Sequence, residues 1–239
     1  MKLISCQNGR ILTSLQGEEE ISARAKIVST GLHAIDSLTP DGGFAQGAIH
    51  ELLSDQEPAR SFALFLTCNF SGTGAIVWSD PDSEIYPPAI QASGIPLDRL
   101  YLLRPAGRQD LIWSISECLS CRGVAVTIAA IDRLSRIEAR RLQLSAERGG
   151  GIGLLLRPML RSASGFAAPS IYAAATRWLV APAPGERTVQ RWEITLIHGH
   201  GGCLGKPVLL EHCRETNLVR AAEKLADRSV ETQEQRLGA

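Results

Sequence analysis

Ala48-Ile49-His50-Glu51-Leu52-Leu53-Ser54-Asp55-Gln56-Glu57-Pro58-Ala59-Arg60-Ser61-Phe62-Ala63-Leu64-Phe65-Leu66 reads as a strand, a polar loop and a helix in immediate succession. Residues 48–53 read as a strand, and the loop that follows is polar. The helix places Phe62, Phe65, Leu66 and Phe70 on one face. Upstream, residues 31–47 hold a helical turn with Leu32, Ile35 and Leu38 on one side. The breaker Pro40-Asp41-Gly42-Gly43 follows, and Gly47 precedes the strand.

Downstream, strand and helix signals alternate. Strands are expected at 75–79, 100–103, 124–131 and 152–156, and helices at 88–93, 111–119 and 135–148, the last closed by Gly149-Gly150-Gly151. The run at 124–131 is apolar throughout, as a strand buried on both faces requires. The fold class this predicts is α/β with a mostly parallel central sheet. Residues 158–168 have little periodicity and read as a mobile loop. Pieces at 176–181, 190–198 and 208–211, joined by Pro- and Gly-rich turns, predict an antiparallel extension of the sheet. The chain therefore divides into a leading segment outside the core (1–28), a core with its extension (29–212) and a polar tail (213–239). The tail reads as a solvated helix with a narrow apolar stripe of Leu218, Ala222 and Leu225.

With 239 residues and 44% hydrophobic ones, the chain can bury one substantial core. Lys plus Arg and Asp plus Glu both number 25, so the net charge is +0. That balance excludes a histone-like basic protein and confines any nucleic-acid contact to local patches. No apolar run approaches the ~20 residues that span a bilayer, so no membrane role is expected. The first residues lack the apolar core of a secretory signal, which points to the cytoplasm. Six scattered cysteines in an apolar-rich chain read as reduced thiols.

The segment 54–61 sits where a phosphate-binding loop, G-x-x-x-x-G-K-[ST], would sit. Such a loop needs glycines to wrap its amides around phosphate, a lysine for the outer phosphates and a hydroxyl for magnesium. Here Ser54 and Ala59 replace both glycines, Pro58 removes an N–H, Arg60 stands for the lysine, and only Ser61 matches in type. Asp55 and Glu57 place carboxylates beside the phosphate position. Like charges 4 Å apart repel by about 4 kcal/mol at an effective dielectric of 20. Two readings stay open, a nucleotide site of altered chemistry and a loop that kept its place and lost its ligand. The residue types favour the second, so no cofactor is expected, ATP and magnesium included.

Several motifs in order resemble the core of a RecA-type recombinase: Ser29-Thr30-Gly31-Leu32-His33-Ala34-Ile35-Asp36, Gly42-Gly43, and the strand beginning Gly47-Ala48-Ile49-His50-Glu51. More closely, Val77-Trp78-Ser79-Asp80-Pro81, Leu102-Leu103-Arg104-Pro105, Arg140-Arg141-Leu142-Gln143-Leu144, Leu154-Leu155-Leu156-Arg157-Pro158 and Ala174-Ala175-Thr176-Arg177-Trp178 resemble the ImuA family across residues 29–212. The resemblance implies a RecA-like accessory protein of the SOS DNA damage response. Such a protein would support translesion synthesis with an ImuB-type Y-family-like protein and an error-prone polymerase, with RecA as a further candidate partner. Some proteins of this kind carry the label of SulA-type cell-division inhibitors, which gives one alternative; a weak ATP-dependent DNA-binding ATPase is another. In the recombinase pattern the catalytic glutamate follows the second strand, where this chain has Asp80 and then Asp82. Asp132 stands nearest the magnesium-associated aspartate. The segment after Asp132 is too short for the first DNA-binding loop, so filament formation like that of RecA is not expected.

Beyond the loop, Arg133, Arg136 and Arg140 form a stripe on the helix at 135–148 with Arg141 beside it, while Ile137, Leu142 and Leu144 are expected to face the sheet. The stripe suits DNA phosphates or an acidic partner, and equally a solvated face. Arg157 and Arg161 flank the segment corresponding to the second DNA loop of the recombinase. The tail stripe is a candidate surface for the partner or for a second copy of the chain. His198, His200, Cys203, His212 and Cys213 are of zinc-ligand type but lack ligand spacing, and Cys118-x-x-Cys121 ends a helix rather than opening one, so no metal is expected. No G-x-S-x-G elbow anchors hydrolase chemistry.

Overall fold

The computed structural model describes residues 4–7, 10–13, 26–54, 58–79, 81, 85–162, 165–172, 174–186, 188–199 and 201–222. In chain order the elements are β1 (Ile4–Gln7), β2 (Arg10–Thr13), β3 (Ile27–Val28), α1 (His33–Asp36), β4 (Phe44–Ala45), β5 (Ala48–Ser54) and α2 (Pro58–Phe70). There follow β6 (Ala75–Ser79), α3 (Pro87–Ala92), a 3-10 turn (Leu97–Arg99), β7 (Leu100–Leu103), α4 (Arg108–Ser120), β8 (Val124–Ala130), α5 (Arg136–Gly149) and β9 (Ile152–Pro158). The chain continues through β10 (Leu160–Ser162), β11 (Gly165–Ala167), β12 (Thr176–Ala183), β13 (Val189–Gly199), β14 (Pro207–Cys213) and β15 (Leu218–Ala221).

The nine-stranded sheet runs β15-β14-β13-β12-β5-β9-β8-β6-β7. From β12 to β7 neighbouring strands are parallel; β13, β14 and β15 continue the sheet antiparallel. This is the α/β architecture expected, with one refinement: β12 joins the parallel set, pairing Thr176 with His50 and Leu179 with Leu53. β5 is buried along its length because helices and straps cover both its faces. One face packs Leu52, Leu154, Ile128 and Trp178 against Phe62, Leu66 and Phe70 of α2. The other packs Ile49, Leu155 and Ala129 against Ile115 and Leu119 of α4 and Leu142 and Ala146 of α5.

Local signals set the helix ends. Pro58 opens α2. Ser135 accepts a hydrogen bond from the Glu138 N–H while the Glu138 side chain accepts one from the Ser135 N–H, a closed capping box on α5. α5 ends on Gly150 at φ +78°, and a Cβ on Gly149 would collide with the Leu119 carbonyl oxygen of α4.

Three expectations change. Ile27 and Val28 pair with Ala45 and Phe44, and Val28 packs on the core, so the core begins before residue 29. Residues 158–168 are not a loop alone, because β10 and β11 pair antiparallel, Arg161 opposite Phe166. The tail is not helical over Leu218 and Ala222: Asn217 adopts φ +55°, the chain reverses, and β15 pairs with the otherwise open edge of β14. The edge's unpaired backbone groups outweigh the local helix pattern. Leu225 lies outside the described residues.

His50 anchors this frame. Its Nε2–H donates to the Ala45 carbonyl at 3.0 Å, so Nδ1 is the acceptor for the Thr176 hydroxyl at 2.7 Å, which in turn accepts from the Trp178 indole N–H at 2.7 Å. The chain of bonds links β4, β5 and β12 and requires a neutral ring. Burial pushes the His50 pKa from 6.5 to about 4, partly countered by the bond to Ala45. A group held neutral by the fold stabilises fully above its unfolded pKa and loses that contribution as pH falls. Urea unfolding is therefore expected to show stability declining from pH 6.5 towards pH 4, by on the order of 3 kcal/mol from this group, with a flatter profile for His50→Asn.

Candidate functional site

In a parallel sheet the strand carboxyl ends gather on one edge. Here that edge carries Ser54 at the end of β5, Ser79 at the end of β6, Pro158 at the end of β9, and Asp132 just past β8. Ser54 is buried and its carbonyl accepts from the Met159 N–H at 3.2 Å, while Asp132 is exposed. Strand β5 and helix α2 thus flank residues 55–57. Ala59, in the position of the second glycine, packs its methyl group into the core, and Arg60 is half-buried in the first turn of α2. Ser61 turns to a concavity of about 330 Å³ along α2, bounded by Gly31, Asn69 and the β14–β15 hairpin. Asp55, Gln56, Glu57, Asp80 and Asp82 lie outside the described residues.

Arg157 is not available to DNA. It is 4% exposed and donates from Nη1 to Glu51 Oε1 at 2.9 Å and to the Ile171 carbonyl at 2.7 Å. Arg177, equally buried, donates from Nε to Glu51 Oε2 at 2.9 Å and from Nη2 to the Pro169 carbonyl at 2.7 Å. Its guanidinium lies 4.5 Å from the Tyr172 ring centroid. One carboxylate on the central strand therefore joins β5, β9, β12 and the segment around 169–172. Sequence reasoning missed Glu51 and Arg177. The signal was present: a charge inside an apolar strand is tolerated only when paired. Arg161 stands on β10, and its side chain is not among those described.

Arg133, Arg136, Arg140 and Arg141 are exposed, but Arg133 precedes α5 and lies off its helical face. Leu142 is buried as expected. Ile137 and Leu144 instead point outward, at 82% and 43% exposure. With α5 packed on the core through Leu142 and Ala146, the helical step turns positions 137 and 144 away from that face. They lie in a groove of about 550 Å³ between α4 and α5, lined also by Arg136, Arg140, Arg141 and Arg148. The groove walls are tied by Ser116 to Ser145 (2.9 Å), Arg141 Nε to Ser116 (3.2 Å) and Arg108 to Glu138 (2.8 Å). The hydrogen bond from the Ser135 amide, with help from Arg108, holds the Glu138 carboxyl below its ordinary range.

Leu218 is 61% exposed on β15 rather than on a helix, and Ala222 follows the strand, its N–H donating to the Leu209 carbonyl. Arg220 and Arg191 both pair with Glu211, fastening β15 and β13 to β14. Among the described residues no three His, Cys, Asp or Glu side chains converge as a metal site. His198 meets Tyr172, His212 bonds Asn217, and His200 lies outside the described residues.

No family model matches the chain. It is 29% identical to Protein ImuA of Caulobacter vibrioides (strain NA1000 / CB15N) over 226 residues, covering 85% of this chain and 92% of that one. It is also 29% identical to Protein RecA of Staphylococcus aureus (strain JH9) over 154 residues, which is 62% of this chain and 43% of that protein. Among solved structures the RadB recombinase superposes with a TM-score of 0.66 at 14% identity, covering 82% of this chain and all of that one.

Removing Arg157 breaks one arm of the buried triad and strips Glu51 Oε1 of that donor, leaving the carboxylate paired with Arg177. Arg157→Ala is expected to lower the unfolding free energy by about 3–5 kcal/mol, read by urea denaturation, without weakening oligonucleotide binding by the folded fraction. The chain is thus similar to Protein ImuA over most of its length, and its sheet has the α/β fold of the RadB recombinase.

Proposed function

We propose that the protein is a non-catalytic, RecA-like accessory factor of the SOS-type DNA damage response. In this reading it acts in the cytoplasm and supports error-prone translesion synthesis together with an ImuB-type Y-family-like protein and an error-prone polymerase. The observation that carries the reading is the similarity to Protein ImuA over 85% of the chain. The chemistry of the 54–61 segment supports the non-catalytic part. Without flexible glycines, the backbone cannot wrap its amides around a polyphosphate, and Arg60 lacks the compact reach of a lysine. ATP and magnesium are accordingly absent from the proposed mechanism, and the protein works by holding partners together.

Two measurements test this. Titration with a fluorescent ATP analogue and magnesium is expected to show no saturable binding in the low micromolar range; saturable binding abolished by Arg60→Ala contradicts the non-catalytic reading. Co-expression pull-downs are expected to capture an ImuB-type protein or RecA. Capture of a tubulin-like division protein alone contradicts the translesion reading and favours division inhibition.

A further inference from the structure

The groove between α4 and α5 has a chemistry that neither the phosphate-loop remnant nor the resemblance explains. At 100° per residue, Ile137 and Leu144 fall on one line along α5, with Arg136 and Arg140 on one side of it and Arg141 and Arg148 on the other. Ile137 is the most exposed large apolar side chain among the described residues, at 82%. None of these four guanidiniums forms an ion pair with a carboxylate among the described residues. Arg140 bonds Gln143 and Arg141 bonds Ser116, both neutral. The negative charges nearby are Glu117 on the α4 wall and Glu147 on α5, which leaves the groove net positive. On α4, Trp113 sits one turn before Ser116 and Glu117 and is 58% exposed, extending the apolar surface.

An apolar seam edged by unpaired arginines discriminates between ligands. Phosphates would neutralise the arginines but leave Ile137 and Leu144 in water, gaining nothing from the seam. An amphipathic helix with acidic flanks satisfies both, burying its apolar residues on the seam and pairing its carboxylates with the rails. Ile137 and Leu144 lie two turns apart, so the matching ligand carries apolar residues two turns apart as well. We infer that this groove is a docking site for an acidic amphipathic helix of a partner protein. The inference rests on the groove's own chemistry and does not require the adaptor reading above.

The test uses the full chain and a fluorescein-labelled, Glu-rich helical peptide with leucines two turns apart, followed by anisotropy. A second peptide replaces the leucines with glutamine, and a single-stranded oligonucleotide serves as the phosphate probe. The leucine peptide is expected to bind saturably, about tenfold or more tighter than the glutamine peptide, and to lose a similar factor with Ile137→Asp. Arg136→Glu combined with Arg140→Glu is expected to weaken it most at low salt. Because Ile137 is exposed, Ile137→Asp should leave the thermal unfolding midpoint unchanged, which separates lost binding from lost folding. Equal binding of both peptides, indifference to Ile137→Asp, or no saturable binding overturns the inference. So does an oligonucleotide that displaces the peptide and is lost with the arginines alone, which makes the groove a phosphate surface. Self-association in sedimentation that Ile137→Asp abolishes, with no peptide bound, also overturns it and places a second copy of the chain there.

Discussion

The Glu51 carboxylate, shared between Arg157 and Arg177, is the contact on which the arrangement of the molecule turns. It sits on the middle strand of a sheet otherwise built from apolar side chains, where an unpaired charge would be prohibitively costly. Its two oxygens each take a guanidinium, and Arg157 Nη1 and Arg177 Nη2 also reach the Ile171 and Pro169 carbonyls. Desolvating three charges makes such a triad a weak source of net stability, but it admits few alternatives. Strand β12 must lie beside β5 in one register, β9 must lie on the other side, and the segment at 169–172 must cross over them. His50, the neighbouring residue on β5, repeats the logic on the opposite face through neutral hydrogen bonds to Ala45 and Thr176.

From that centre the two halves of the sheet follow different rules. Towards β7 the strands are parallel and joined through helices, so their carboxyl ends collect where a recombinase-like site belongs. Towards β15 they are antiparallel hairpins that extend the sheet, with Glu211 holding two arginines across three strands. On the first edge Ala59 stands with its methyl group in the core and Arg60 is half-buried, while the outward face of α5 presents charge and apolar surface together. On the proposed reading, the helices that cover the sheet, rather than the strand ends, carry the working surface.

Much of this was legible in the sequence. The buried strands β5, β6, β8 and β9 announce themselves as short apolar runs, and α5 as a helix opened by Ser135 and Glu138 and closed by glycines. What failed has a common cause, that local pattern does not name the tertiary neighbour. Arg157 reads as a surface charge until Glu51 is seen beside it. Ile137 and Leu144 are apolar and so read as core, but α4 takes the face carrying Leu142 and Ala146. Leu218 and Ala222 fit a helical stripe, yet the open edge of β14 recruits them into a strand. Within the low-periodicity stretch after β9, β10 and β11 pair with each other as a separate two-stranded sheet. Residues 55–57, the centre of the segment compared with a phosphate loop, lie outside the described residues, with Ser54 and Ala59–Ser61 on either side.

The central claim is that a RecA-like frame here serves as a docking platform rather than a nucleotide motor. Hydrogen–deuterium exchange on the full chain, alone, with ATP and magnesium, and with the proposed ImuB-type partner, tests that claim most directly. The account predicts new protection on α4 and α5 with the partner and no nucleotide-dependent change from Ser54 through the first turns of α2. Nucleotide-dependent protection at that strand–helix junction, with α4 and α5 unchanged by the partner, would contradict it.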